Sequence, residues 1–195
     1  MYSFRNDYSE LCHHQILKAF EEINTVQFDG YGEDLITKQI KIKIKKTLKT
    51  DNVDIHFLSG GTQTNLVAIS TILKPYQAVI AAESAHVATH ECGAIEATGH
   101  KIITVSTTDG KINATQIKDL IVNHYSDEAR EHITQPGMVY ISNPTEYGTI
   151  YKKGELIQIK KVCDQFEIPL YIDGARLAQG LMSPYSDILI SDLHK

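Results

Sequence analysis

Cysteine is scarce in this chain of 195 residues. The three present, Cys12, Cys92 and Cys163, are scattered and odd in number, with no CxxC or CxxH pair. That pattern excludes a disulfide framework and a zinc site of the usual spacing, and it reads as reduced thiols of an intracellular protein. No apolar run approaches a membrane span. The start, Met1-Tyr2-Ser3-Phe4-Arg5-Asn6-Asp7, is polar at once and does not read as a signal peptide. A basic surplus is missing too: 19 Lys and Arg stand against 24 Asp and Glu, a net charge of -5. Neither nucleic acid nor an anionic membrane is therefore favoured as a partner, and no metal is expected. The expected location is the cytoplasm. There is no GxGxxG, which ranks a dinucleotide-binding Rossmann domain last. Internal repeats, low-complexity segments and a clear linker are also lacking, so one domain with a sizeable core is the prior.

What is there centres on Ser59-Gly60-Gly61-Thr62-Gln63-Thr64-Asn65. The apolar run 55–58 reads as a strand leading in, and Leu66, Ile69 and Leu73 as a helix face leading out. A helix start aims unpaired N–H groups and the positive dipole end at one point, which suits an anion. Gly60 and Gly61 would permit a tight turn and close ligand approach, and the Thr62 hydroxyl could add a donor. The reading is a phosphate site. A capped strand-to-helix turn with no ligand fits the local pattern equally well.

In chain order, residues 4–10 read as an extended polar arm. Residues 13–23 are helical, with Ile16, Phe20 and Ile23 on one face. His13 and His14 read as first-turn surface residues, and residues 29–34 as a glycine loop. Residues 35–48 fit a helix through Ile36, Ile40, Ile44 and Leu48, and also a strand through alternating Ile40, Ile42 and Ile44. Helix is chosen, with the lysines at 38, 41, 43, 45, 46 and 49 as a solvated face rather than an RNA or lipid site. Strands then follow at 78–82, 101–105, 138–142 and 169–173, separated by helices at 90–98, after Asn113, and at 154–166. Gly99 reads as the C-cap of the 90–98 helix, and 127–135 as polar loop. This alternation predicts an α/β fold with a mostly parallel sheet covered on both faces.

Ligands in such sheets collect beyond the carboxyl ends of the strands. That rule selects Ser59–Thr62, Glu83-Ser84-Ala85-His86, Asn143–Glu146 and Asp173-Gly174-Ala175-Arg176. Asp173 ends an apolar strand and needs a cation or donor. A protonated ring nitrogen would serve, and so would a salt bridge to Arg176. His86 could lie against a flat ligand or simply bond to backbone. Arg176 could fork onto a carboxylate or phosphate.

The set Arg5-Asn6-Asp7, Tyr31-Gly32-Glu33-Asp34, Gly60-Gly61-Thr62-Gln63, Ala85-His86, His90-Glu91 and Asp173-Gly174-Ala175-Arg176, in that order and spacing, resembles one family. It is the low-specificity threonine aldolases, within the β-eliminating lyases that use pyridoxal 5'-phosphate (PLP). The resemblance runs from Phe4 to the last residue. It implies the large domain of the fold-type-I PLP transferases, an α/β three-layer architecture with a mostly parallel sheet, preceded by an N-terminal arm and helices. Residues 1–50 would form the arm and helices, and 51–195 a partial cofactor-binding domain, with the C-terminal small domain absent. The family works as homo-oligomers, dimers or tetramers, with sites at subunit interfaces.

The resemblance further implies that Gly60, Gly61 and Thr62 cradle the cofactor phosphate and that His86 stacks on the pyridine ring. Asp173 would pair with the ring nitrogen. Arg176 would bind beside the cofactor and, with Asn6, face the substrate carboxylate. Tyr31 would reach the site of the neighbouring subunit. Many relatives carry Ser where Asn6 stands, and Asn can still donate. Some branches carry a histidine where Glu146 stands, which leaves His86 as the candidate base for the substrate hydroxyl. The substrate implied is a β-hydroxy amino acid, with threonine cleaved to glycine and acetaldehyde. The family's cofactor-linking lysine is expected after the next strand, outside this sequence, so that the fragment would be inactive. Lys195, in a His-Lys ending similar to other fold-type-I branches, is the lesser candidate. The alternative reading is a non-catalytic fragment that binds PLP or pairs with a longer subunit.

Overall fold

A computed structural model describes residue 3 and residues 5–194. Phe4 of the expected arm and the candidate Lys195 lie outside the described residues. The chain divides into two compact units, one ending at Lys46 and the other starting at Thr47.

In the first unit, residues 5–10 run through bends, and α1 spans His14–Ile23. The His13 ring caps it, with Nδ1 accepting from Gln15 N–H at 3.3 Å. Helix α2, Leu35–Leu48, begins in this unit. Asp34 decides helix over strand at its start: its carboxylate accepts from the Thr37 N–H at 2.8 Å and the Thr37 hydroxyl at 2.6 Å. These bonds, the hydroxyl first, hold Asp34 below the usual carboxylate range. No residue of α2 is buried, as a solvated lysine face requires.

The second unit carries the sheet. Among the described residues its strands are β1 (Gln77–Ala82), β2 (Ile102–Val105), β3 (Gln135–Ser142) and β4 (Leu170–Asp173), in the order β2-β1-β3-β4. All three pairings are parallel. β1 is buried along nearly its whole length, which is why it reads as an unbroken apolar run. The helices are α3 (Gly61–Ile72), α4 (His86–Thr89), α5 (Ala114–Ser126), α6 (Lys153–Gln165) and α7 (Leu177–Leu181). α5 and α6 make the crossovers into β3 and β4. Asn113 and Gln116 close a reciprocal capping box on α5, both bonds 3.0 Å. Ile69 of α3, Ile117 and Ile121 of α5, and Ile159 and Cys163 of α6 pack with Val79, Ile80 and Val139 of the sheet in one core. Each such aliphatic side chain stabilises the fold by about 1.5–3 kcal/mol through burial.

Some local readings change. Residues 55–58 form no strand. Gly60 has φ −170° and ψ 161°, extended backbone open to any residue, and a Cβ at Gly60 or Gly61 would meet nothing within 4 Å. The bend into α3 therefore does not need glycine's conformational freedom. The helix expected at 90–98 is divided: α4 starts earlier, at His86, and only Glu96–Thr98 form a short 3-10 turn. Gly99, at φ 85°, does close that turn as a left-handed cap. β3 starts at Gln135 rather than 138: Gln135 and Pro136 pair with Gln77 and Ala78 of β1, and Gly137 falls at the register shift between Ala78 and Val79.

Gly137 is tightly enclosed. A Cβ there would sit 2.8 Å from Gln77 Cβ and 2.9 Å from Leu73 Cδ2. Gly137→Ala is expected to cost about 1–3 kcal/mol by overpacking. A melting midpoint lower by roughly 2–12 °C in calorimetry is the expected reading. An unchanged midpoint would mean that the start of β3 moves freely.

Candidate active site

The carboxyl ends of β1, β3 and β4 carry the polar residues singled out above. Alternation along parallel strands places register partners on the same face. Tyr140 pairs with Tyr171 and Ser142 with Asp173, so these four share one face at the end of the sheet. The two tyrosine rings stack, centroids 5.5 Å apart and 16° from parallel.

Asp173 is held on both oxygens. Oδ2 accepts from the Tyr140 hydroxyl at 2.6 Å and from Asn65 Nδ2 at 3.1 Å. Oδ1 accepts from the Ala175 N–H at 3.1 Å. Burial first, and then the Asp173 charge, push the Tyr140 phenol far above its ordinary value, so it stays protonated and donates. Burial also pushes Tyr171 up to about 12, with the charges of Asp173 and Glu91 adding to it.

Asn65 connects this acid to the rest. It lies one turn into α3, so the helix start at Gly61 is roughly 6 Å away along the axis. Its amide donates to Glu91 Oε1 at 2.7 Å as well as to Asp173, and its Oδ1 accepts from the Tyr171 hydroxyl at 2.8 Å. The opposite amide orientation would turn an oxygen toward two carboxylates, so the network fixes the one described. Glu91 is fully enclosed, and its Oε2 has no partner among the described residues.

His86 opens α4, and its Nδ1 lies 2.9 Å from Glu91 Oε1. Its side chain is 46% exposed. The His90 ring stacks on it at 5.6 Å and 18°, and Thr89 Oγ1 holds His90 Nδ1 at 2.6 Å. Glu146 Oε1 accepts from the His86 backbone N–H at 2.8 Å and from the Ser142 hydroxyl at 2.6 Å, so Glu146 fastens the end of β3 to the start of α4.

At the start of α3, Gly60 supplies no side-chain cap, and the first helical bond is Thr64 N–H to Gly60 C=O at 3.0 Å. The N–H groups of Gly61, Thr62 and Gln63 precede it and point out of the helix. Gln63 Oε1 accepts from the Ser59 N–H and hydroxyl, bracing the approach.

The structure thus joins His86 and Asp173 to the first turns of α3 through Glu91 and Asn65. Arg176 is exposed just beyond β4, at the start of α7. Asn6 and Tyr31 belong to the first unit. Asn6 Oδ1 is engaged locally by Tyr8 N–H and Ser9 Oγ, and Tyr31 is fully exposed at φ 60°. Two of the strand-end residues point elsewhere: Glu83 accepts from Ser106 and Thr107, and Asn143 from the Tyr151 N–H. The sequence reading gave no role to Asn65, Glu91, Tyr140 or Tyr171. A signal for Asn65 existed, since it falls on the i, i+4, i+8 series with Ile69 and Leu73 and is polar at a core position.

The parallel α/β sheet, with its helices, is the fold of the fold-type-I PLP enzymes. Residues 15–188 match the family model described as beta-eliminating lyase. The chain belongs to the beta-eliminating lyase family, a family of PLP-dependent enzymes. It is similar to a low specificity L-threonine aldolase of a Pseudomonas species, 31% identical over 177 residues, covering 90% of this chain and 49% of that protein. The solved threonine aldolase of Leishmania major superposes with a TM-score of 0.94 at 44% identity, over 99% of this chain and 55% of that one. The PLP-bound C-S lyase of Staphylococcus hominis shares the fold, with a TM-score of 0.60 at 12% identity, over 83% of this chain and 42% of that one. The chain spans about half the length of the curated relatives it matches.

Proposed function

We propose that this chain carries the cofactor-holding half of a threonine-aldolase-type lyase, which cleaves a β-hydroxy amino acid between Cα and Cβ, threonine giving glycine and acetaldehyde. The observation that carries the reading is the hydrogen-bonded line from His86 through Glu91 and Asn65 to Asp173, in which Asn65 lies one turn inside α3, whose start has no side-chain cap. The donor set fits PLP. Gly61, Thr62 and Gln63 offer N–H groups to a phosphate, His86 offers a ring face, and Asp173 offers a fixed carboxylate to a ring nitrogen. When bound, the cofactor withdraws electrons from the substrate Cα.

The chain's own residues divide the remaining work. Asp173, oriented by Tyr140 and Asn65, keeps the ring nitrogen protonated. His86 Nε2 takes the proton of the substrate hydroxyl. Arg176 forks onto the substrate carboxylate. Tyr31 serves the neighbouring subunit of a homo-oligomer, dimer or tetramer. Among the described residues of this cluster none is a lysine, so the amine that links the cofactor is assigned to a residue outside the cluster.

The test is a titration of the chain with PLP, followed by borohydride reduction and peptide mapping. Saturable binding without a stoichiometric adduct at any one lysine is expected. A stoichiometric adduct at Lys195 would move the amine into this chain. An absence of saturable binding would refute the cofactor site and leave a subunit-pairing fragment.

A further inference from the structure

We propose that Glu91 is a positioning residue that sets the tautomer and the ring plane of His86. Glu91 Oε1 already accepts from Asn65 Nδ2 at 2.7 Å, so it meets His86 Nδ1 at 2.9 Å as an acceptor. His86 must then carry its proton on Nδ1, which leaves the Nε2 lone pair free. Glu91 is enclosed and cannot follow a rotating imidazole, and Glu146 anchors the backbone N–H of the same histidine at 2.8 Å. The His90 ring limits rotation from one face. Because Asn65 also donates to Asp173, one amide fixes both the acid under the ring nitrogen and the partner of the stacking histidine. Glu91 touches no reacting atom and acts through His86. The role serves the proposed cofactor site, but its test does not depend on it.

The test uses the full chain labelled with 15N-histidine, in mildly alkaline buffer. Long-range proton–nitrogen spectra report which ring nitrogen is protonated, and a His86→Asn spectrum assigns the signal. Wild-type His86 is expected almost wholly as the Nδ1–H form. Glu91→Met keeps the volume and removes the acceptor, so the Nε2–H form is expected to rise several-fold. Glu91→Gln keeps an acceptor oxygen and is expected to retain the wild-type form. A wild-type His86 in the Nε2–H form, or a Glu91→Met spectrum identical to wild type, overturns the proposal. If Glu91→Met does not fold, the wild-type and Glu91→Gln spectra decide. PLP titration of the same samples separates the two readings. Wild-type binding with no tautomer change in Glu91→Met refutes the positioning role alone. A tautomer change without any cofactor binding refutes the cofactor site alone.

Discussion

Asn65→Ala is expected to be the most destabilising single change at the site. The asparagine gives one N–H to Glu91, at 2.7 Å, and the other to Asp173, at 3.1 Å, and accepts the Tyr171 hydroxyl at 2.8 Å. Bonds to charged groups contribute about 1.5–3 kcal/mol each, and a buried partner left unpaired adds its desolvation cost. Glu91 suffers most, since its other oxygen already lacks a described partner. A loss of about 3–5 kcal/mol follows, or roughly 6–20 °C in the melting midpoint of a chain this size. Asn65→Asp should be worse, because it gathers three carboxyl groups and removes the donors between them. Thermal denaturation followed by circular dichroism reads both. If Asn65→Ala melts within about 1 °C of wild type, water replaces the amide and the network does not hold the site together.

Asp173→Asn is expected to leave the fold almost intact and to weaken PLP binding by roughly 10- to 150-fold, which is about 1.5–3 kcal/mol of charge-assisted bonding. The donors around Asp173 dictate this. Tyr140 and Asn65 both give to one oxygen, so an asparagine must place its amide oxygen there. Its NH2 then faces the Ala175 N–H and any protonated ring nitrogen, donor against donor. Equilibrium titration by absorbance gives the ratio of affinities. An unchanged affinity would mean that Asp173 does not meet the cofactor ring, and the assignment of the far end of the site would fall. Tyr140→Phe gives a graded comparison, because it removes one donor from Asp173 and leaves the charge.

Particular residues show how far the sequence reached. The capping box of Asn113 and Gln116, the apolar run of β1 and the Gly99 cap are local signals, and each element formed where its signal lay. The strand at 55–58 and the helix at 90–98 failed, because a short apolar run forms a strand only if a neighbour pairs with it and because His86 found a carboxylate acceptor, Glu146, for its N–H. The glycine pair at 60–61 stands at a helix start, but glycine's freedom is not what makes it: the backbone at Gly60 is extended, and the helix start is what gathers the N–H groups.

The sequence by itself determined the alternation of parallel strands and helices, and with it the strand ends at which polar residues collect, because hydrophobic periodicity and end caps act over a few residues. Only the tertiary structure decided which of those residues meet. Asn65 reaches Glu91 across 26 positions and Asp173 across 108, and Tyr140 reaches Asp173 across 33. Those partners depend on strand order and on the register of β3 against β4, and a hydrogen bond specific to a few tenths of an ångström is set by that packing, which no local pattern encodes.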